Sequence, residues 1–185
     1  MAEIYSFPAI ASADARLLIL GSIPGKASLE ANQYYAHPRN LFWTILGALV
    51  GAHPALDYAE RTRILTASGI ALWDVLKSCK RPGSLDADID KSTMIANDFA
   101  AFFAAHPNID RIFFNGATAE HAFRRQVLPT LLDAEPFLLK RLPSTSPAHA
   151  ALSYHQKLES WRIILEKPDF CKQVPVSPTR TRQKP

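Results

Sequence analysis

The sequence predicts an α/β protein with a parallel sheet between layers of helices. Short apolar runs of strand length alternate along the chain with longer segments whose apolar residues recur at helical spacing. Strands that alternate with helices favour a parallel sheet with helices on both faces. The chain has 185 residues, of which 48% are hydrophobic, and this is enough to build the core of one such domain.

The first predicted strand, residues 16–20, ends in a turn that is rich in glycine and proline. Gly21, Pro24 and Gly25 stop the strand and allow a ligand to approach the backbone closely. In open α/β sheets, ligands bind at this carboxyl end of the strands. The turn is not a Walker loop, because three residues rather than four separate Gly21 from the Gly25-Lys26 pair. In addition, Ala27 stands where a Walker loop has the hydroxyl residue that binds magnesium. It is not a GxGxxG fingerprint either.

A polar and aromatic cluster follows this turn. It contains an amide, two phenols, an imidazole and a second amide, which belong to Gln33, Tyr34, Tyr35, His37 and Asn40. Pro38 suits the first turn of a helix, so the pattern predicts a helix over residues 38–50. One strand-turn-helix unit therefore gathers most of the candidate ligand-binding groups.

The other elements follow from the same patterns. Residues 1–15 read as a lead-in that covers the core, and residues 77–90 as a long polar loop. Ser153 is a plausible N-cap for the last helix. The predicted strands are 69–75, 110–115 and 137–142, and the predicted helices are 57–67, 94–105, 116–127 and 154–166.

Polar residues stand at the ends of the later strands. Asp74 ends the second strand, Asn115 ends the third, and the hydroxyls of Ser144, Thr145 and Ser146 follow the fourth. Taken singly, each has an ordinary structural interpretation as a cap or a stiff turn. In a parallel sheet, however, all these strand ends open onto one edge, so we expect them to converge.

The composition excludes several classes of protein. No apolar run approaches the length of a membrane span, and the N-terminus lacks the pattern of a signal peptide, so we expect a cytoplasmic protein. The cysteines Cys79 and Cys171 lack metal-binding spacing, and no GxSxG nucleophile motif is present.

The net charge of +4 comes from the C-terminal tail. Residues 172–185 contain four basic residues and no acid, so residues 1–171 carry 17 basic and 17 acidic residues. The basic balance alone therefore does not argue for nucleic acid. We expect a single domain over residues 1–171 and a disordered basic tail over residues 172–185.

Four motifs together resemble the uracil-DNA glycosylase superfamily. They are GSIPGKASL, QYYAHPRNLFW, FFNGATA and LPSTSPA. The resemblance is greatest to the hypoxanthine-DNA glycosylase (DNA-deoxyinosine glycosylase) branch, and YAHPRNLFW is also similar to the mismatch-specific uracil glycosylases. The resemblance implies a three-layer α/β/α fold with a central four-stranded parallel sheet. It also implies hydrolysis of the N-glycosidic bond of a deaminated base in DNA, with no metal or cofactor, by a monomer.

The resemblance also assigns residues. Asn40 matches the catalytic asparagine of the hypoxanthine branch, and Tyr35 matches the aromatic residue that stacks on the extruded base. Ile23 stands where most of the superfamily carries an acid or amide, and Leu142 where many relatives carry His or Asn. The other expected base-binding residues are Gly21, Ser22, Ile23, Pro24, Gly25, His37 and Asn115, and the expected DNA-backbone contacts are Ser144, Thr145 and Ser146.

Several alternatives stay open at this point. We expect a monofunctional hydrolytic enzyme, whereas Lys26 offers a nucleophile for a lyase. The chain could instead be a uracil- or mismatch-specific glycosylase, or a catalytically silent DNA-binding member of the superfamily. A small-molecule hydrolase or phosphotransferase that uses the same sheet edge is disfavoured by the missing Walker and nucleophile motifs.

Overall fold

The computed structural model describes residues 3–83, 85–131 and 137–166. The strands are β1 (Glu3–Tyr5), β2 (Leu17–Gly21), β3 (Ile70–Asp74), β4 (Leu76–Lys80), β5 (Ile95–Ala96), β6 (Arg111–Asn115) and β7 (Leu138–Leu142). The α-helices are α1 (Lys26–Ala31), α2 (Phe42–Val50), α3 (Tyr58–Ala67), α4 (Phe99–Ala105), α5 (Ala117–Ala122) and α6 (Tyr154–Trp161).

Four strands form the parallel sheet that the sequence predicts. Their order is β3-β2-β6-β7, and every pairing is parallel. All five residues of β2 are buried, as expected of a central parallel strand that is covered on both faces. The predicted α/β class and the four-stranded parallel sheet are thus confirmed.

Helices cover both faces of this sheet. Alternate residues of β2 point to opposite sides, so Leu18 and Leu20 lie in one apolar cluster and Leu17 and Ile19 in the other. The first cluster includes the apolar residues of α4 and α5, and the second includes those of α2, α3 and α6. This arrangement gives three layers.

A second, smaller sheet lies beside the main one, and the sequence analysis did not predict it. β4 pairs antiparallel with β1 and with β5. The prediction of a polar loop over residues 77–90 is therefore wrong for its first part, where Ser78 and Cys79 are buried. Strands of two or three residues depend on partners that are distant in sequence, so no local pattern reveals them.

The boundaries of several helices differ from the prediction. α2 begins at Phe42 rather than Pro38, because residues 37–40 form a turn in which the Asn40 N–H donates to the His37 carbonyl at 2.8 Å. α4 begins at Phe99 because Asp98 caps it. α1 was not predicted, and residues 123–127 continue α5 as a π-helical turn. The Ser153 cap of α6 is confirmed and forms a capping box with Gln156.

Some expectations fall outside the described residues. These include the tail over residues 172–185, Cys171 and the C-terminal limit of the predicted domain. Within the described ranges, none of the helices has both the length and the apolar character needed to cross a membrane.

Candidate functional site

The carboxyl ends of β2 and β3 place Gly21 beside Asp74. The two residues are paired in register. If Gly21 carried a Cβ, that atom would lie 2.4 Å from Asp74 Oδ1 and 2.8 Å from the Tyr35 hydroxyl oxygen. The missing side chain at position 21 therefore lets a carboxyl group and a phenol meet against the backbone at this edge.

Asp74 is a functional candidate that the sequence analysis placed at a strand end without assigning it a role in binding. It is 2% exposed, and Oδ2 accepts a hydrogen bond from Ser6 Oγ at 3.2 Å. The pKa of Asp74 is raised to about 7, mainly by burial; the Ser6 hydroxyl opposes this rise, nearby Asp86 adds to it, and Arg81 opposes it. Near neutral pH a large fraction of this carboxyl group is protonated and can donate a hydrogen bond. The sequence signal that could have indicated a role for Asp74 is an acidic residue at the end of an otherwise apolar strand.

Tyr35 has an uncommon backbone conformation and an unused hydroxyl. Its φ is 55°, in the left-handed region that bulky residues rarely occupy. The hydroxyl is buried and has no hydrogen-bond partner among the described residues. Burial and the Asp74 carboxyl raise the pKa of Tyr35, and the nearby Asn115 amide only partly opposes this change, so the phenol stays protonated. Its ring stacks on Phe42, with the centroids 4.0 Å apart and an angle of 20° between the planes.

The peptides on both sides of Tyr35 are held by hydrogen bonds. The Tyr34 N–H donates to the Tyr58 hydroxyl at 3.0 Å, and the Tyr34 carbonyl accepts from Trp43 Nε1 at 2.8 Å. The Ala36 N–H donates to Ser28 Oγ at 3.3 Å. Three separate elements thus fix the strained residue, which is how a left-handed tyrosine persists.

Asn40 lies at the start of α2 and is half-buried. Its Oδ1 accepts the Phe42 N–H at 2.9 Å and so fixes the turn that leads into the helix, whose N-cap position is occupied by Leu41. The amide keeps one oxygen lone pair and its NH₂ group for a ligand. His37 Nδ1 accepts the Arg39 N–H at 3.1 Å, so the imidazole stabilises the turn that presents Asn40. Phe42 connects Asn40 to Tyr35, because its N–H donates to the Asn40 side chain and its ring stacks on the Tyr35 ring.

The glycine turn, residues 21–25, offers mainly backbone groups for binding a ligand. The side chain of Ile23 is 6% exposed and packs in the apolar cluster around Leu20, so only the main chain of Ile23 is available for binding a base. Ser22 Oγ donates to Asp86 Oδ1 at 2.8 Å. The Pro24 carbonyl accepts from Arg81 Nη2 at 2.6 Å, whereas Gly25 has open space beside its Cα.

Asn115 and Thr145 form a reciprocal pair at the other side of the edge. Asn115 Nδ2 donates to Thr145 Oγ1 at 2.9 Å, and the Thr145 N–H donates to Asn115 Oδ1 at 2.8 Å. Asn115 is therefore not a helix cap; Gly116 occupies the N-cap position of α5. Thr145 is fully buried, so its side chain orients the Asn115 amide and is not placed to contact DNA.

The neighbouring serines are more accessible. Ser144 and Ser146 are half-buried. The Ser146 N–H donates to Ser144 Oγ at 3.2 Å, and the Ala148 N–H donates to Ser146 Oγ at 3.3 Å, so both hydroxyls stabilise their own turn. Each hydroxyl retains its O–H donor for an external acceptor such as a phosphate oxygen. The expected contacts of Ser144 and Ser146 with the DNA backbone stay predictions.

Helix α6 holds the loop over residues 143–149 through two side-chain hydrogen bonds to its backbone. Trp161 Nε1 donates to the Pro143 carbonyl at 2.9 Å, and Lys157 Nζ donates to the His149 carbonyl at 2.7 Å. Burial lowers the pKa of Lys157. Among the described residues, no group of three or more His, Cys, Asp or Glu side chains is arranged to hold a metal ion.

Comparisons with known proteins place this geometry in context. A family model described as the uracil DNA glycosylase superfamily matches residues 7–167. A hypoxanthine DNA glycosylase from Methanosarcina barkeri is 38% identical over 111 residues, which cover 60% of this chain and 69% of that protein. A hypoxanthine DNA glycosylase from Methanosarcina acetivorans is 33% identical over 159 residues, which cover 85% of this chain and 95% of that protein.

A solved structure shares the fold. It is the solution NMR structure of a candidate uracil DNA glycosylase from Methanosarcina acetivorans, with a TM-score of 0.71 and 30% sequence identity. The match covers 89% of this chain and 100% of that chain. The three-layer arrangement inferred from the four sequence motifs is thus found in an experimentally determined relative.

Proposed function

Because this chain belongs to the uracil DNA glycosylase superfamily, we propose that it is a monofunctional DNA repair glycosylase that releases hypoxanthine, and secondarily uracil, from DNA. Two relatives that are named hypoxanthine DNA glycosylase support this substrate class. The observation that carries the proposal is a pair of buried donors that meet beside Gly21 at one sheet edge: the Asp74 carboxyl and the Tyr35 hydroxyl, which has no partner among the described residues. Such groups are costly to bury unless a ligand uses them.

The target base first has to leave the DNA stack. Extrusion costs a few kcal/mol, and this cost is smallest for a mismatched or damaged base. Tyr35 covers Phe42 with one face of its ring, while the residue as a whole stays partly exposed. Stacking of the base on the accessible part of this ring would offset about 1–3 kcal/mol of the cost. The fixed left-handed backbone keeps the ring in place before DNA arrives.

Asp74 suits the hydrogen-bonding edge of a deaminated base. Hypoxanthine presents a carbonyl acceptor beside an N–H donor, and so does uracil. A protonated carboxyl group presents the complementary O–H donor and C=O acceptor, whereas a carboxylate has acceptors only. The Tyr35 hydroxyl adds a further donor, because it and this carboxyl both lie against Gly21.

The reaction would be a hydrolysis. A water oxygen bonds to C1′ while the C1′–N bond breaks, the electron pair of that bond leaves with the base, and the base takes up a proton. The transition state resembles an oxocarbenium ion, as in other glycoside hydrolysis. Asn40 would hold the water through the free lone pair of Oδ1, because a neutral amide orients a water but does not deprotonate it. The Gly25 N–H would stabilise charge on the departing base.

The environment of Lys26 supports a hydrolase rather than a lyase. Its ammonium group is 3.8 Å from the Glu30 carboxylate, and both side chains are well exposed. A lyase nucleophile works from a desolvated site. The solvated ion pair of Lys26 and Glu30 does not provide such a site.

The test uses duplexes that contain one deoxyinosine, one uracil or one xanthine, together with an undamaged control. Released bases are identified by chromatography, and abasic sites are revealed as strand breaks after hot alkali. We expect free hypoxanthine, alkali-dependent breaks and no covalent adduct on borohydride reduction. Breaks without alkali, or an adduct, would contradict the monofunctional mechanism.

A catalytically silent DNA-binding protein is the second candidate. It is favoured by Ile23, whose side chain lies in the core where most of the superfamily has an acid or amide, and by the bond that the Asn40 oxygen already accepts from the Phe42 N–H. The same duplexes distinguish the two candidates. Binding without release of any base would identify the silent protein, and release of uracil alone would indicate a uracil- or mismatch-specific enzyme.

A further inference from the structure

Arg81 is a buried cation whose guanidinium group binds backbone carbonyls. It is 2% exposed, Nη2 donates to the Pro24 carbonyl at 2.6 Å, and Nε donates to the Gly83 carbonyl at 2.8 Å. In the part of the chain that the structure describes, it forms no ion pair. A buried guanidinium is costly unless its hydrogen bonds are satisfied, so these carbonyl contacts are needed to hold it in place.

The contact with Pro24 also determines the orientation of the next N–H. In a trans peptide the C=O and the following N–H point in opposite directions. Because Arg81 fixes the Pro24 carbonyl on one side of the turn, the Gly25 N–H points away from Arg81. Within the described ranges this N–H has no acceptor, and a Cβ on Gly25 would meet nothing within 4 Å. The result is a backbone donor that no group in the described chain uses, at a residue with open space beside its Cα.

The rest of the turn is held by other contacts. The carbonyls of Gly21 and Ser22 accept the N–H groups of Val75 and Leu76 at 2.9 and 3.0 Å. Ser22 Oγ is bound to Asp86. The peptide between Pro24 and Gly25 lacks such ties to the sheet, so Arg81 supplies the contact that this peptide needs.

We propose that Arg81 is a positioning residue that aims the Gly25 N–H at the departing base. This inference rests on the proposed function and extends it to a residue outside the four motifs. Arg81 touches neither the DNA nor the base; it acts through the peptide that does. The effect should therefore be on the chemical step and not on DNA binding.

The test compares the Arg81→Ala and Arg81→Lys variants with the wild-type protein on the duplex from which wild type releases base. Loss of one donor to a developing charge typically lowers the rate about 10²–10³-fold, so we expect Arg81→Ala to lower the single-turnover rate by about 10²-fold. The dissociation constant for DNA should change by less than about threefold, because no DNA contact is lost. Lysine should recover only part of the rate, since it lacks the forked donor geometry.

Chemical rescue distinguishes positioning from general destabilisation. Guanidinium chloride at millimolar concentration should restore at least a tenth of the rate in Arg81→Ala, whereas sodium chloride at equal ionic strength should not. The matched control is Arg111→Ala. Arg111 is also a buried arginine that donates to a backbone carbonyl, that of Glu166, but it lies at the amino end of β6, at the edge of the sheet opposite the candidate site. We expect Arg111→Ala to lower the melting temperature without lowering the single-turnover rate.

Three results would overturn the inference. They are a rate for Arg81→Ala within about threefold of wild type, an equal loss of rate in Arg111→Ala, and a lack of rescue by guanidinium. A failure of the proposed function itself looks different, because wild type would then release no base from any of the lesions. That outcome would overturn both proposals.

Discussion

The two halves of the sheet edge satisfy their polar groups in opposite ways. On the β6–β7 side, Asn115 and Thr145 exchange two hydrogen bonds. On the β2–β3 side, the Tyr35 hydroxyl has no partner in the described chain, and Asp74 is buried against Ser6 with a pKa raised to about 7. One half is complete without a ligand, and the other is not.

This difference separates the structural side of the edge, formed by Asn115 and Thr145, from a recognition surface formed by Gly21, Tyr35 and Asp74. A buried polar group without a partner destabilises the folded protein, so its retention points to a ligand that completes it. A buried pair with both bonds made contributes to stability and orients whatever it holds. Substitutions on the two sides should therefore affect different quantities, namely catalysis on the β2–β3 side and folding on the β6–β7 side.

The largest effect is expected for Asn40→Ala. The variant should lose most of the base-release activity, about 10²-fold or more, because the attacking water loses its orienting group. Binding to the lesion duplex should persist. The control is Asp98→Ala, which removes the cap of α4 and should cost a similar ~1 kcal/mol of stability without slowing base release. Unchanged cleavage by Asn40→Ala would show that the catalytic assignment is wrong.

The next effect is the pH dependence of stability at Asp74. The folded-state pKa of about 7 lies above the ordinary value of 3.8, so well below pH 3.8 the carboxyl is protonated in both the folded and the unfolded state and no charge is buried on folding. Between pH 4 and pH 7 the unfolded chain ionises first, so stability falls, by at most ~4 kcal/mol, and then levels off.

Asp74→Asn removes this loss, since an amide does not ionise. The melting temperature of the variant relative to wild type should rise between pH 4 and pH 7 and stay constant above it. Asp90→Asn is the control, because a hydrogen bond from Ser92 lowers the pKa of that exposed carboxylate and the relative melting temperature should not rise. A flat difference for Asp74→Asn would show that the carboxyl is ionised throughout. The activity of wild type should also decline above about pH 7, where Asp74 loses its donor.

Thr145→Val tests how much the hydrogen-bonded pair of Asn115 and Thr145 contributes to stability. The substitution keeps the shape but leaves the Asn115 N–H without its acceptor, which should cost about 1–3 kcal/mol of unfolding free energy in chemical denaturation. Thr145→Ser keeps the hydroxyl and should retain most of the stability. Equal stabilities of the valine and serine variants would mean that the pair contributes nothing to folding.

The smallest effect on stability is expected for Tyr35→Phe. Removing a buried hydroxyl that has no partner should leave the free energy of unfolding unchanged or raise it by up to ~1 kcal/mol, while kcat/KM for deoxyinosine falls. Tyr34→Phe is the matched control, because its hydroxyl lies 3.3 Å from the Phe7 carbonyl and its loss should be destabilising. A marked loss of stability in Tyr35→Phe would show that the hydroxyl already has a structural partner.

The main sheet could be predicted because its signals are local. Continuous apolar runs such as 17–20 and 112–114 indicate buried parallel strands, and Ser153 indicates a helix start from its own neighbours. The small sheet could not be predicted, because β1 and β5 are too short to show a period and exist only through their pairing with β4.

The same distinction applies to the site. Tyr35, Asn40 and Asn115 could be proposed from motifs. The burial of Asp74 and Thr145 could not, because it depends on segments that are remote in sequence: residues 6 and 86 for Asp74, and residue 115 for Thr145. Arg81 was missed for the same reason, since its partner Pro24 lies 57 positions earlier in the chain.

The N-terminal segment has a practical consequence for anyone who prepares this protein. The carbonyl of Phe7 accepts hydrogen bonds from the Tyr34 hydroxyl and from Trp73 Nε1, and Ser6 Oγ binds Asp74. These residues precede the first strand of the main sheet and look dispensable when the gene is trimmed for expression. Shortening the chain past position 8 would remove supports on two sides of the recognition surface, so truncated or N-terminally fused preparations should be compared with the intact chain before a weak activity is interpreted.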